Sequence, residues 1–256
     1  MDFQPIPDHP ALLAGESLVV TDLHIGLEAE IGRHGVYVTS QTRKMADRLV
    51  RLLDKHRPKR LVILGDVKHY VPGTTALERR DLPAFFTAVA PAVPEIEITA
   101  GNHDALIRYA LPTSVRLRRP TGLVADGFGF LHGHAWPSKG VMAARVVVAG
   151  HNHPAFVAVD RLGHRTVAPA WMRLPLRRHV ARYSRVGREL VVIPSFNPLC
   201  GGTPVNDTRQ RLLGPLTSPK VSRVEDGDLH LLDGTYLGRL GDLRIDAGYR
   251  GEDYRQ

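Results

Sequence analysis

Five short apolar runs in this sequence each lead into residues able to bind a metal ion. Ser17–Thr21 leads to Asp22-Leu23-His24, and Arg60–Leu64 to Gly65-Asp66. Glu95–Thr99 leads to Gly101-Asn102-His103-Asp104, Gly127–Leu131 to His132-Gly133-His134, and Arg145–Val148 to Gly150-His151-Asn152-His153. Continuous apolar runs of this length suit strands buried on both faces. In open α/β sheets the carboxyl ends of neighbouring strands converge on one crevice. Clusters scattered along the chain would therefore meet in space.

The intervening patterns support such a sheet. Gln41–His56 places Met45, Leu49, Leu52 and Leu53 on one stripe between charges, the pattern of an amphipathic helix. Leu77–Ala90 reads as a weaker helix, because Pro83 interrupts it. A β-α-β-α-β opening predicts an α/β fold with a mixed or parallel sheet and covering helices. After Asp126 strands predominate, with a sixth strand at Glu189–Ile193. Val221–Val224 and Leu229–Leu232 flank Glu225-Asp226-Gly227-Asp228 and read as a hairpin. With no repeat and no clear linker, residues 1–246 are expected to form one domain, with a polar, frayed tail over 247–256.

The bulk properties narrow the class. No run approaches the 18 apolar residues of a membrane span, and the N-terminus lacks the basic-then-apolar pattern of a secretory signal. The single cysteine, Cys200, allows no internal disulfide and fits a cytoplasmic location. The net charge of +8 favours polyanionic partners. The stretch Trp171–Arg188 holds Arg173, Arg177, Arg178, Arg182, Arg185 and Arg188 with no acidic residue before Glu189.

The chemistry lies in the clusters. Residues two apart in an extended chain point the same way, so Asp22 and His24 can face one ion, and His151 and His153 one crevice. Gly65, Gly101 and Gly150 permit close approach or unusual backbone angles. Carboxylate, imidazole and amide oxygen without thiolate suit Mn²⁺, Fe²⁺ or Zn²⁺. The donors are too many for one ion. Two ions sharing a bridge can clamp both the attacking and leaving oxygens of a phosphoryl centre and acidify a water between them.

The ordered series DLH, GD, GNHD, HGH, GHNH resembles the calcineurin-like metallophosphoesterase signature. The resemblance implies a four-layer αββα sandwich of two mixed sheets flanked by helices. It implies one metal on Asp22, His24, Asp66 and His153, and a second on Asp66, Asn102, His132 and His151, with Asp66 bridging and Mn²⁺ favoured. His103 would sit by the substrate phosphate, stabilising the transition state or protonating the leaving oxygen, and Asp104 would orient it by a hydrogen bond. DLHIGLE, GDVKH, LHGHAWP and SFNPLCGGTPVN are similar to phosphoesterases encoded beside Lhr-type helicases or repair ligases. This implies a manganese-dependent phosphodiesterase or nuclease on single-stranded or flapped DNA in repair, with such a helicase or ligase as partner.

Several residues carry weaker readings. Asn102 and His134 are candidates for substrate contact, His134 also for support of His132, and Arg177 and Arg178 for phosphate contact. Glu28 reads as a local structural partner, and His69 is not assigned as a ligand. Asn197 and Asn206 read as turn residues, and Trp136 and Trp171 as core. A phosphatase or phosphodiesterase for small molecules, and a DNA-binding subunit that does not cut, remain alternatives. The absence of a serine nucleophile elbow, a Walker loop and a dinucleotide fingerprint sets aside serine hydrolysis, ATPase and dehydrogenase readings.

Overall fold

The computed structural model describes residues 3–245. Among these, one sheet has six strands in sequence order: β1 (Phe3–Pro5), β2 (Leu12–Ala14), β3 (Ser17–Val20), β4 (Arg60–Ile63), β5 (Glu95–Thr99) and β6 (Val115–Arg118). β3 to β6 are parallel, and β1 and β2 add antiparallel at one edge. The second sheet comprises β7 (Leu123–Ala125), β8 (Phe128–Leu131), β9 (Val146–Ala149), β10 (Pro154–Val159), β11 (Arg165–Pro175), β12 (Glu189–Val192), β13 (Thr203–Pro204), β14 (Asp228–Leu231) and β15 (Tyr236–Arg239). Its centre, β8, β9 and β12, is parallel, and antiparallel strands surround it.

The alternation of side chains builds the layers. Leu12, Val19, Val62, Leu64, Phe130, Val146, Val148, Val191 and Ile193 form the apolar layer between the sheets. The opposite face of the first sheet, with Leu18, Val20, Leu61, Ile63, Ile96 and Ile98, packs under α2 (Thr42–His56) and α3 (Ala76–Val89). The opposite face of the second sheet is covered by the short helix α4 (Lys139–Ala143) and by irregular chain carrying Tyr183, Val205, Leu216 and Val221. The result is an α/β sandwich of two mixed sheets in which the second has few helices over it.

Two expectations change. α3 is continuous through Pro83. A reciprocal cap between Thr75 and Glu78 starts it, and buried Leu82, Phe85, Phe86 and Val89 hold it on the sheet; this packing outweighs the one lost backbone bond. The predicted hairpin around Glu225-Asp226-Gly227-Asp228 does not form. Arg223 N donates to Pro175 O at 2.9 Å, and Val224–Asp226 makes a 3₁₀ turn. β14 instead pairs with β15 across Asp233-Gly234, where Gly234 has φ +94°. The tail expected over 247–256 lies outside the described residues. Among the described residues no helix is long and apolar enough to cross a membrane.

Candidate metal centre

The five clusters converge at the carboxyl ends of β3, β4, β5, β8 and β9. Asp22, His24, Asp66, His151 and His153 all have positive φ, between 40° and 69°. Such angles are disfavoured for residues with a Cβ and persist where the surroundings over-determine them, commonly at functional sites. β3, β4 and β9 thus each end in a sharp turn that aims side chains across the crevice. The glycines are required by crowding: a Cβ on Gly101 would overlap the Asp66 carboxylate, and one on Gly150 would overlap Thr21 and Asp22.

Hydrogen bonds lock the turns together. His24 N donates to Asp66 O at 2.8 Å, His103 N to Asp66 Oδ1 at 2.8 Å, and His151 N to Asp22 Oδ2 at 3.1 Å. One oxygen of each carboxylate is thereby used by backbone. The other oxygens face imidazoles: Asp22 Oδ1 lies 3.2 Å from His153 Nε2, and Asp66 Oδ2 lies 3.3 Å from His132 Nε2 and 3.6 Å from His24 Nε2. His132 Nε2 is 3.1 Å from both Asn102 Oδ1 and His151 Nδ1. His132 Nδ1 pairs with the Leu64 carbonyl at 2.7 Å, which fixes its ring.

Two groupings emerge. Ligand atoms of Asp22, His24 and Asp66 lie within 4.8 Å of one another, and so do those of Asp66, His132 and His151. Asp66 belongs to both. Asp22 Oδ1 and His24 Nε2 are buried without any hydrogen-bond partner. Buried polar atoms are ordinarily paired, so these orphans, with the mixed carboxylate–imidazole donor set, fit divalent cations.

Electrostatics fit as well. Burial drives His24 down to about 3 and His151 down to about 4, so both rings are neutral at pH 7 and have lone pairs to offer. Burial also opposes charge on His132, but Asp66 and Asp22 outweigh it and push the ring up to about 9. Burial would raise Asp22 and Asp66, yet their histidine neighbours hold both below the usual carboxylate range.

Some expectations are corrected. Asp104 does not hydrogen-bond His103. It is buried, and its carboxylate accepts from Val67 N at 2.9 Å, Lys68 N at 3.4 Å and Gly101 N at 2.8 Å. Its acceptor capacity goes to tying the β4 and β5 turns together. His103 Nδ1 instead faces the His69 carbonyl, which can only accept, so Nδ1 carries the proton. His134 packs beside His132 and His151, with ring centroids 5.2 and 6.0 Å away, and makes no hydrogen bond to His132. Trp136 is 39% exposed rather than core, whereas Trp171 is buried. Arg177 and Arg178 are exposed, and Arg177 Nε donates to the Pro219 carbonyl. Among the described residues neither arginine bonds to the histidine cluster.

On sequence, Cys200 had no place at the site and His69 stood outside the ligand set. His69 enters the cluster: Nδ1 is 3.1 Å from His24 Nδ1, Nε2 is 2.6 Å from Glu30 Oε2, and the ring stacks on His103 at 5.3 Å. Cys200 lies with His24 and His153 inside the same 4.8 Å limit, and burial pushes its thiol up to about 12. The GDVKH spacing gave a signal for His69; a lone cysteine in a Gly/Pro-rich loop gave none. Glu28 is structural, accepting from Gln41 N at 2.6 Å. Asn197 and Asn206 are also structural: Asn197 Nδ2 holds the Leu23 carbonyl at 2.8 Å, and Asn206 exchanges two bonds with the Val157 backbone.

No protein-family model matches the chain, and no curated protein is significantly similar to it. Solved structures are. The nuclease MPE of Pseudomonas putida superposes with TM-score 0.55 at 22% identity, covering 91% of this chain and 98% of that one. This is the metallophosphoesterase sandwich fold. A phosphoesterase from E. coli, Yfce, is similar at TM-score 0.39 and 18% identity, over 87% of this chain and 97% of that one. In this chain the five clusters meet at the carboxyl edge of both sheets.

Proposed function

We propose that this chain is a dinuclear-metal phosphodiesterase acting on single-stranded or flapped DNA. The observation that carries the reading is Asp66, shared by two metal-competent groupings and surrounded by ligands on strained backbone. Asp22, His24, Asp66 and His153 would hold one cation. Asp66, Asn102, His132 and His151 would hold the other, with Mn²⁺ favoured and Fe²⁺ or Zn²⁺ also compatible with the donors. When bound, two such cations supply Lewis acidity at the phosphoryl oxygens and lower the pKa of water.

The chain's own residues do the rest. The His103 Nδ1 proton is held on the His69 carbonyl, which leaves Nε2 facing the substrate; with the ring in its imidazolium form, Nε2–H can give its proton to a leaving oxygen and the ring returns to the neutral Nδ1–H tautomer. Glu30 fixes His69, and His69 stacks on His103, so the ring is oriented before substrate arrives. Asn102 is exposed at the crevice and can face both a cation and the substrate phosphate.

A polymer substrate is favoured by what lies beside the cluster. Trp136 follows His134 by two residues and exposes its ring, with the Arg182 guanidinium 5.3 Å from its centroid. Tyr183 anchors this loop by donating to Pro137 O at 2.7 Å. Arg178, Arg182 and Arg185 are exposed on the same run. An aromatic face among cations is how single strands are held without sequence readout. The similarity to the P. putida nuclease supports the same reading, as do the motifs shared with helicase- and ligase-associated phosphoesterases. A role in DNA repair beside an Lhr-type helicase or ligase follows from those motifs alone.

The test is direct. Purified chain with Mn²⁺ should hydrolyse a bis-aryl phosphodiester and nick single-stranded DNA, and Asp66→Ala should lose both activities. Strong monoester turnover with inert DNA would move the substrate to small nucleotides. Metal-replete protein that binds DNA without turnover would make it a non-cutting subunit.

A further inference from the structure

The segment Ser195–Cys200 folds back onto the turn that carries Asp22 and His24. Phe196 N donates to Thr21 O at 2.9 Å, and Asn197 N to Asp22 O at 3.4 Å. Helix α2 stands behind this return. The Arg48 guanidinium lies 4.0 Å from the Phe196 ring centroid, and its Nη2 donates to the Phe196 carbonyl at 3.4 Å. Arg48 is thus a half-buried cation fixed against the segment that supports the candidate metal turn.

No carboxylate offsets it. Charges taken out of water ordinarily have an opposite charge beside them. Arg48 has none among the described residues. Burial, with the charge of Arg51 beside it, pulls the guanidinium down to about 10, so it stays protonated at pH 7. Helical spacing extends this charge into a ridge. Lys44, Arg48, Arg51 and Lys55 recur every three or four residues and so follow one line along α2. Lys44, Arg51 and Lys55 are exposed and stand in no ion pair among the described residues. Asp54, one residue before Lys55, falls a quarter-turn or more off this line. Asp47 is drawn to Arg43 at 4.0 Å.

The ridge borders a hollow of about 460 Å³ lined by Lys44, Arg48, Arg51 and Pro198, with Asp47 at its side. Pro198 also lines a second hollow, of about 280 Å³, that reaches His153. The two adjoin at Pro198, so surface runs from a candidate metal ligand to the cations of α2. The stretch between is apolar, with Val167, Pro169 and Pro194. This is a different side of the crevice from the Trp136 loop, which follows His132 and His134 rather than His153.

We infer that the hollow on α2 holds the phosphodiester backbone of a DNA single strand that leaves the metal crevice past His153 and Pro198. The inference rests on the phosphodiesterase reading for the strand's presence, and names where its flank is held. Regularly spaced cations without acidic partners match a repeating anion, and a single strand is flexible enough to bend round Pro198. Lys44 and Arg51 each neutralise a phosphate, while Arg48, held on Phe196, keeps the hollow positive between them.

Lys44→Gln/Arg51→Gln removes two exposed charges and no packed group. The probe is a labelled oligo(dT) of about 20 nucleotides, longer than one single-strand site. With full-length, Mn²⁺-loaded protein, its affinity is read as KM where the strand is cut and by fluorescence anisotropy where it is not. The double variant should hold the probe about tenfold more weakly at low salt. Its log affinity should also fall less steeply with log salt, by about 1.4 in slope, the share of two single-strand phosphates. Arg161→Gln/Arg239→Gln removes the same charge from exposed positions of the second sheet's strands and loops, and should leave both values at wild type. Equal losses in the two pairs, or an unchanged slope in Lys44→Gln/Arg51→Gln, overturn the proposal. So does poly-glutamate of equal charge that competes as well as unlabelled oligo(dT), which would make the hollow a site for an acidic peptide. Turnover of the bis-aryl diester by the wild-type protein tests the metal centre alone. Its failure ends the phosphodiesterase reading, while the salt slopes still decide whether α2 holds a strand.

Discussion

The two ends of the same sheets bury polar atoms in different ways. At the carboxyl rim, five candidate ligands sit at positive φ and press charged groups together. At the amino edge, Trp171 and His230 sit in regular paired strands with orphaned ring nitrogens. The rim holds strain and crowded charge in one place, and bound cations would offset its carboxylates. The far edge keeps strand geometry and pairs its charges, as in Arg173 with Glu189; it is a gap where β1 does not close on β11 and β14. A third kind of buried polar group occurs at the base of α2 and α3. There Asp81 accepts from Ser40 Oγ at 2.6 Å, Thr42 Oγ1 at 3.0 Å and Arg80, and nothing is left unpaired. Unmet groups gathered at one crevice point to ligands, and fully met groups point to stability.

The largest effect that could break this contrast is at Asp66. Asp66→Ala should lower Mn²⁺-dependent diester turnover at least ~10³-fold, as expected when charge stabilisation at the reacting centre is removed. Near-wild-type kcat in that variant would show that the shared carboxylate is not at the centre of the site. His103→Ala should cost on the order of 10²-fold in kcat with metal content unchanged by elemental analysis. The deficit should shrink for diesters with more acidic leaving groups; a constant deficit would remove His103 from proton donation.

Smaller effects sharpen the comparison. Mn²⁺ at about 100 times its Kd should raise stability by about 2.7 kcal/mol over chelated protein, seen as a rise in Tm. No rise would mean that the orphaned rim atoms do not take a cation. Asp81→Asn should cost about 1–2 kcal/mol at pH 7 by denaturant unfolding. Burial alone would raise the Asp81 pKa, but hydrogen bonds from Arg80, Ser40 and Thr42 outweigh it and hold the carboxylate below its ordinary value. Its contribution is therefore complete above the ordinary aspartate range and fades as pH falls below about 4. The gap between variant and wild type should close there; a gap unchanged down to pH 3 would show that ionisation of Asp81 is irrelevant.

Much of the fold was legible because its signals are local. The runs beginning at Ser17, Arg60, Glu95, Gly127, Arg145 and Glu189 became strands within a residue or so, since consecutive buried apolar residues have few alternatives. α2 followed from the spacing of Met45, Leu49, Leu52 and Leu53. The failures were tertiary. Pro83 is tolerated because Phe85 and Phe86 pack into the first sheet's layer. The strand expected at Val221 is displaced because β15 supplies β14 with its hairpin partner.

The site divides along the same line. Order and spacing of DLH, GD, GNHD, HGH and GHNH determined which residues would meet, because sheet topology sends the ends of parallel strands to one place. Folding alone decided how each is used. Asp104 was drawn to three backbone N–H groups, because a buried carboxylate binds the nearest donors rather than the nearest histidine in sequence. His69 entered the cluster because Ile25 and Lys68 bridge, bringing the chain after Asp66 alongside the chain after His24. The rim of carboxylates and imidazoles was written in the sequence; the pairing of each group's second atom, and the open edge beside Trp171, arose only when the two sheets were packed.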